Sequence, residues 1–238
     1  MALANFTWDL VLKEFCHTSD HSQQQLIQCI RGSYAKADLA LRIAPAPWID
    51  AFSNMIDIGP IASPASPERD RLASVLALAP NERTVLVGFG GISLTSIPLE
   101  HMEQLRPYRF LFDGPVPRDI PVFIPQRHSH SPLRPYSPLS MSIMTKPGYG
   151  TIVEAVMLQQ PIIYVRRYNF VDEQTLVDYL HHYGRGIELS IDDFTQGHWE
   201  QAIDKAMAML LSPATPPPST GAMQAASILA PYLNGTGA

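Results

Sequence analysis

The chain has 238 residues, 46% apolar and 16% charged, with a formal net charge of −5 and a pI near 5.9. That is enough apolar material for one large α/β domain, or one domain and part of another, and the acidic balance argues against a general nucleic-acid or anionic-membrane binder while leaving room for a local phosphate site. Two cysteines, Cys16 and Cys29, are too few for a disulfide scaffold and read as reduced packing residues, no apolar run approaches the roughly 18 residues that span a bilayer, and Asp9, Lys13 and Glu14 interrupt any secretion signal, so the expectation is a cytoplasmic protein.

In chain order, residues 1–58 read as mainly helical, with Phe6, Leu10, Val11 and Phe15, then Leu26, Ile27 and Ile30, at helical spacing. Ala37–Ile43 reads as a strand. Gly59–Pro67, with three prolines and two serines, reads as an interdomain linker. Beyond it Glu68–Leu78 is helix-like, and Arg83–Phe89 is a continuous apolar run of the kind buried in parallel sheets. Strands are predicted at Arg109–Phe112, Pro121–Ile124, Ser142–Thr145 and Pro161–Val165. Helices are predicted at Ile97–Leu105, Thr151–Leu158, Glu173–Tyr183, Trp199–Leu211 and Met223–Leu233, the last after a Pro-rich connection at Ser212–Thr220. Strands alternating with helices predict an α/β, Rossmann-like doubly wound parallel sheet.

Such sheets bind ligands at the carboxyl ends of their strands, so glycines placed there carry the interest. Gly88-Phe89-Gly90-Gly91 follows the first strong strand; it suits an anion approached by backbone amides and equally a bare tight turn. It has neither dinucleotide-fingerprint spacing nor a P-loop lysine. Thr145-Lys146-Pro147-Gly148-Tyr149-Gly150-Thr151 reads as strand end, glycine turn and helix start. Thr151 and Glu154 have capping-box spacing, which accounts for both structurally. In the functional reading the same helix N-terminus accepts a diphosphate on the amides of Gly150 and Thr151, and Glu154 accepts hydrogen bonds from ribose hydroxyls.

The string Lys146-Pro147-Gly148-x-Gly150-Thr151-x-x-Glu154-Ala155, followed by Pro161 and an apolar strand, resembles the donor-site motif of GT-B glycosyltransferases, among them the lipid-II-forming GlcNAc transferase. The resemblance implies a nucleotide-sugar site built from Lys146, Gly148, Tyr149, Gly150 and Thr151. It puts Glu154 on the ribose, Gly90 and Gly91 on the diphosphate, the backbone of Ile124 on the base, and Glu173 and Gln174 (in Asp172-Glu173-Gln174) on the sugar. A narrower resemblance is to the glycosyltransferase-like N-terminal region of plant L-arabinokinases. It is carried by Asn5-Phe6-Thr7-Trp8-Asp9, Gly148-Tyr149-Gly150-Thr151, Val165-Arg166-Arg167 and Phe194-Thr195-Gln196-Gly197-His198-Trp199, and runs from Asn5 to about Leu233. No sugar-kinase glycine loop accompanies it, so arabinose kinase activity is not implied.

These resemblances imply three parts: residues 1–58 as the remnant of an N-terminal, acceptor-side domain, residues 59–222 as the nucleotide-sugar-binding domain, and residues 223–238 as a helix and tail packing back on the remnant. The implied function is transfer of a sugar from a nucleotide-diphosphate donor, a UDP-sugar, to an unknown acceptor. No cofactor or metal is expected, since the helix N-terminus substitutes for one. The catalytic residue is unknown, because the resemblance starts late in the N-terminal domain, past the usual acceptor pocket and base; a protein partner or a homo-oligomer would then supply the acceptor site. A second departure is Ser140-Met141-Ser142, which stands where Ala-Asp is usual. The alternatives are a non-catalytic donor-binding subunit, a truncated inactive homologue, and a UDP-sugar epimerase or hydrolase.

Other candidates have plainer explanations. His128, His130, His181 and His182 lack partnered metal-ligand spacing. Arg166 and Arg167 could steer a diphosphate or pair with Asp172 or Glu173. Trp8 and Trp199 read as core rather than as sugar platforms, and no Gly-x-Ser-x-Gly elbow marks a serine hydrolase.

Overall fold

The computed structural model describes residues 1–17, 19–63, 83–89, 105, 108–112, 123–125 and 141–233. The chain divides into two compact units, residues 1–62, 167–179 and 217–238 in the first and residues 63–166 and 180–216 in the second. A cut at 58 and 222 differs from this chiefly at 167–179, which belong with the first unit.

The first unit is built on three parallel strands in sequence order, β1 (Ala2–Ala4), β2 (Ala40–Ile43) and β3 (Met55–Ile58). Helices α1 (Trp8–Lys13) and α2 (His21–Tyr34) lie between β1 and β2 in the chain, and Asp20 caps α2 by accepting from the amides of Ser22 and Gln23. Because side chains alternate along a strand, the sheet buries both faces. Leu39, Leu41 and Ile58 meet Ala225, and Ala40 packs with Ile49 and Phe52. Ala225 lies on the last helix, α7 (Gly221–Leu233), which packs against β3. Its approach is close: a Cβ on Gly221 would fall 2.1 Å from the Gly59 carbonyl oxygen. Gln224 Oε1 accepts from the Gly59 amide at 2.6 Å and Ser219 Oγ from the Ala62 amide at 2.7 Å. Residues Gly59–Ala62, read from composition as the start of a linker, are therefore fixed to the end of the chain. Strands β1 and β3 were not anticipated in a stretch read as helical; three and four residues show no period, and pairing with β2 overrides the helix preference of Ala2-Leu3-Ala4.

The second unit carries six parallel strands: β4 (Arg83–Gly88), β5 (Tyr108–Phe112), β6 (Phe123–Pro125), β7 (Met141–Thr145), β8 (Pro161–Tyr164) and β9 (Arg185–Glu188). Their spatial order is β6-β5-β4-β7-β8-β9, that is, 3-2-1-4-5-6 counted along this unit, the Rossmann order. Strands β7 and β8 are buried throughout, as a parallel sheet covered on both faces requires. Helix α3 (Tyr149–Met157) packs on β8, and α4 (Glu173–Tyr183) precedes β9. Helices α5 (Ile191–Gln196) and α6 (Glu200–Ala208) follow β9, and α6 packs on β7, β8 and β9. Strand β9 and helix α5 were not predicted. Gly186 weakens the strand pattern, and it leaves room for the Leu180 side chain, whose Cδ2 would lie 2.6 Å from a Cβ there. The segments 68–78 and 97–104, predicted as helical, lie outside the described residues.

Trp199 anchors the packing on one face of this sheet. It is fully buried, stacks on Phe194 with centroids 5.4 Å apart, meets Phe110 edge-on, and donates its indole N–H to the Phe194 carbonyl at 2.9 Å. Trp8, also read as core, is instead 54% exposed. Replacing Trp199 by Ala is expected to cost about 3–5 kcal/mol, measured by urea unfolding, whereas Trp8→Ala should change stability by roughly 0.5 kcal/mol.

Candidate functional site

Strands β4 and β7 are neighbours, with Gly88 opposite Thr145. Strand β5 flanks β4 on one side and β8 flanks β7 on the other, so the carboxyl ends of β4 and β7 mark the switch point of the sheet, the place where doubly wound folds bind ligands. Two of the predicted glycines, Gly90 and Gly91, follow β4 but lie outside the described residues. The other glycine segment follows β7 and is fully described.

There Lys146, Pro147 and an extended Gly148 (φ −143°, ψ 141°) lead into α3, whose first bond runs from the Ile152 amide to the Gly148 carbonyl at 2.9 Å. Gly148 is the N-cap, and no side chain caps the helix. The predicted capping box is thus not formed. The helix starts at Tyr149, so Thr151 already has helical geometry and cannot act as the cap. Glu154 becomes the sixth helical residue, 8% exposed and flanked by the buried Val153 and Ala155. Amides of a first turn have no acceptor within their own helix, and they form the positive end of its dipole.

Neither glycine here is demanded by space or backbone angle. Among the described residues, a Cβ on Gly150 would meet no atom within 4 Å, and one on Gly148 would meet only the Lys146 carbonyl oxygen, at 4.0 Å. Neither residue is in the left-handed region. Glycine in a helix is about 0.5–1 kcal/mol less stable than alanine, and what Gly150 provides in return is a first turn with no side chain over its amides. Ile124 is the middle residue of the edge strand β6, paired with Leu111 of β5.

Glu173 and Gln174 open α4 and belong to the first unit. Glu173 is 1% exposed, and its carboxylate accepts from the backbone amides of Arg167 and Tyr168 at 3.1 Å and from Arg167 Nε at 3.3 Å. The alternative read for Arg167, an ion pair with Glu173, is the arrangement found. This clamp holds Tyr168 at φ 61° and leaves its ring exposed, a conformation that costs a non-glycine residue about 1–3 kcal/mol. Gln174 is exposed and donates to Asp178 Oδ1 at 2.7 Å. Asp172 is buried; desolvation pushes its carboxyl up to about 6, against a smaller pull downward from Arg167 and with Glu173 adding to the rise. Sequence reasoning named Asp172 only within Asp172-Glu173-Gln174 and as a partner for the arginines; its burial, like the strained Tyr168, depends on how the loop closes and belongs to no spaced motif.

His181 Nε2 lies 2.7 Å from the Tyr164 hydroxyl. His128 and His130 lie outside the described residues, and no group of three His, Cys, Asp or Glu among the described residues could hold a metal ion. Both cysteines are free thiols. No described helix is long and apolar enough to cross a membrane.

Parallel sheets in this strand order with flanking helices are the fold of the GT-B glycosyltransferases. The structure of UGT89C1 from Arabidopsis thaliana complexed with quercetin is similar at a TM-score of 0.54 and 11% identity, over 87% of this chain and 57% of that one. The same protein complexed with UDP gives a TM-score of 0.50 and 12% identity, over 86% of this chain and 61% of that one. By sequence the chain is similar to L-arabinokinase of Arabidopsis thaliana, 24% identical over 216 residues, which is 88% of this chain and 20% of that protein. The chain thus spans one fifth of that relative and less than two thirds of the structures it resembles. No family model matches it.

The raised Asp172 carboxyl has a pH signature. The unfolded chain loses this proton near pH 4 and the folded chain near pH 6, so the folded state binds more protons in that window and Asp172 lowers stability progressively as pH rises through it. Asp172→Asn, which carries no charge, is expected to raise the melting temperature relative to the parent, with a larger gain at pH 7.5 than at pH 4.5. A gain equal at both pH values would contradict the assignment.

Proposed function

We propose that the chain binds a nucleoside-diphosphate sugar, a UDP-sugar, at the start of α3, and serves its transfer to an acceptor hydroxyl. The observation that carries this reading is the head of α3 at the switch point of the sheet, with glycine at its cap and a second glycine, Gly150, that no described neighbour requires. A diphosphate there accepts from the amides of Gly150 and Thr151 and gains from the helix dipole. Glu154, a carboxylate on an otherwise apolar helix, accepts from the ribose hydroxyls, and Lys146, just ahead of the turn, adds positive charge beside the phosphates. The UDP complex of UGT89C1, which shares the fold, is consistent with that choice of nucleotide.

In the transfer step the acceptor hydroxyl gives its proton to the surrounding water, and its oxygen forms the new bond to the anomeric carbon as the bond to the diphosphate breaks. The electron pair leaves with the phosphate oxygen, where the amides at the head of α3 stabilise the growing negative charge. That charge is met by backbone dipoles, so no divalent metal is needed on this account.

Calorimetric titration with UDP, GDP, ADP and dTDP, each with magnesium or with EDTA, tests the reading. UDP is expected to bind in preference to the other three, and equally under both conditions. Glu154→Gln should weaken UDP by about tenfold, or ~1.4 kcal/mol. Gly150→Ala should weaken it as well while making the protein slightly more stable, on the order of 0.5 kcal/mol. Equal UDP affinity in the parent and both variants would contradict the proposal.

A further inference from the structure

The pairing of β8 with β7 continues past Tyr164. Tyr164 stands opposite Thr145, and the Val165 amide donates to the Thr145 carbonyl at 3.0 Å. The next residues to leave these two strands, Lys146 and Arg166, are both cations, and both belong to the second unit. Their backbones depart about 4.8 Å apart, the spacing of paired strands, at the sheet end where α3 begins. Side chains alternate along a strand. Ile163 and Val165 point into the core that Ala202, Ile203 and Ala206 of α6 cover, whereas the Tyr164 hydroxyl lies 2.7 Å from His181 Nε2. The Tyr164 side is also the α3 side: a Cβ on Gly186 would meet Leu180 and Tyr164, and one on Gly184 would meet Leu180 and Val156. The alternation therefore carries the half-buried Arg166 out of the sheet on the side of α3.

Arg167, one residue on, is not equivalent. Its Nε lies 3.3 Å from the Glu173 carboxylate and its guanidinium 4.5 Å from the centre of the Phe170 ring, both within the first unit. One arginine serves the loop, and the other leaves the sheet beside Lys146. Like charges on neighbouring strands repel, and the head of α3 adds the equivalent of about half a positive charge at the same sheet end. A diphosphate lying among these groups turns their repulsion into attraction. With the helix end and Lys146 alone, its phosphates would keep negative charge unmatched, and a guanidinium has the planar fork that fits phosphate oxygens.

We propose that Arg166 is a further diphosphate-binding residue of this site, its guanidinium donating to phosphate oxygens left over by the amides at the head of α3. The assignment rests on the donor reading given above and divides the Arg166-Arg167 pair between two tasks. Arg166 holds the phosphates, and Arg167 neutralises the buried Glu173 carboxylate.

Calorimetric titration of the full chain with UDP, and with uridine as a competitor, tests the assignment in Arg166→Gln, Arg166→Lys and Arg167→Gln. Arg166→Gln should weaken UDP about tenfold and leave uridine unchanged, because uridine has no phosphate. Arg166→Lys should recover part of the loss, since it keeps the charge and gives up the fork. Arg167→Gln should lower the melting temperature, because Glu173 stays buried without its guanidinium, and should keep the UDP affinity of the parent. UDP affinity retained in Arg166→Gln, uridine weakened as much as UDP, or an equal loss of UDP in Arg167→Gln would each overturn the role of Arg166 while the donor reading stands. A parent chain that binds no UDP would overturn the donor reading and this role with it.

Discussion

Strands β4 and β7 lie side by side, and the chain leaves them in opposite directions. Everything distinctive about the larger sheet depends on that divergence. Among neighbouring strands of this sheet, β4 and β7 are the pair whose successors lie outward on either flank, β5 beyond β4 and β8 beyond β7, which makes their carboxyl ends the switch point where such folds bind ligands. The chain directs into it the head of α3, and a helix head presents amides that its own hydrogen bonding cannot satisfy. An aspartate or serine cap would have met part of that demand, as Asp20 does for α2 and Ser190 does for α5. At α3 the cap position holds Gly148, and the first turn holds a second glycine in open space.

The contrast among glycines sharpens the point. Gly186 and Gly221 are placed by sterics, with neighbouring atoms at 2.6 and 2.1 Å from where a Cβ would sit. Gly150 has no such neighbour and carries a small stability cost without a packing return. The loop at 167–173 shows a second local cost: Glu173 spends its carboxylate on holding Arg167 and Tyr168, and Tyr168 is kept in a conformation that side chains avoid. Both features lie outside the hydrophobic cores, which are otherwise built from well-matched apolar side chains.

The larger sheet was legible in the sequence because its strands are buried on both faces. Arg83–Phe89 reads as a continuous apolar run and Ser142–Thr145 and Pro161–Val165 as shorter strands, and they form β4, β7 and β8 within a residue or two. Strands β1 and β3 were not legible, since their short runs gain their geometry from pairing with β2. The glycine segment after β7 could be located by its residues, but not its geometry: Thr-x-x-Glu spacing pointed to a cap at Thr151, whereas the extended Gly148 starts the helix earlier. Trp8 and Trp199 look alike in sequence, both among apolar residues at helical spacing, yet one is half exposed and the other wholly buried. Periodicity gives the face of an element and not what covers it. The roles of Glu173 and Asp172 depend on loop closure, which no local pattern encodes.

The central claim is that a diphosphate sits on the amides at the head of α3, and amide chemical shifts report on that contact directly. In proton–nitrogen correlation spectra of the labelled chain titrated with UDP in EDTA, the account predicts that the Gly150 and Thr151 amides move furthest, in the direction of a stronger acceptor, and that uridine alone moves them little. If UDP leaves both amides at their unbound positions while shifting signals elsewhere, the head of α3 is not the phosphate site and the donor reading fails.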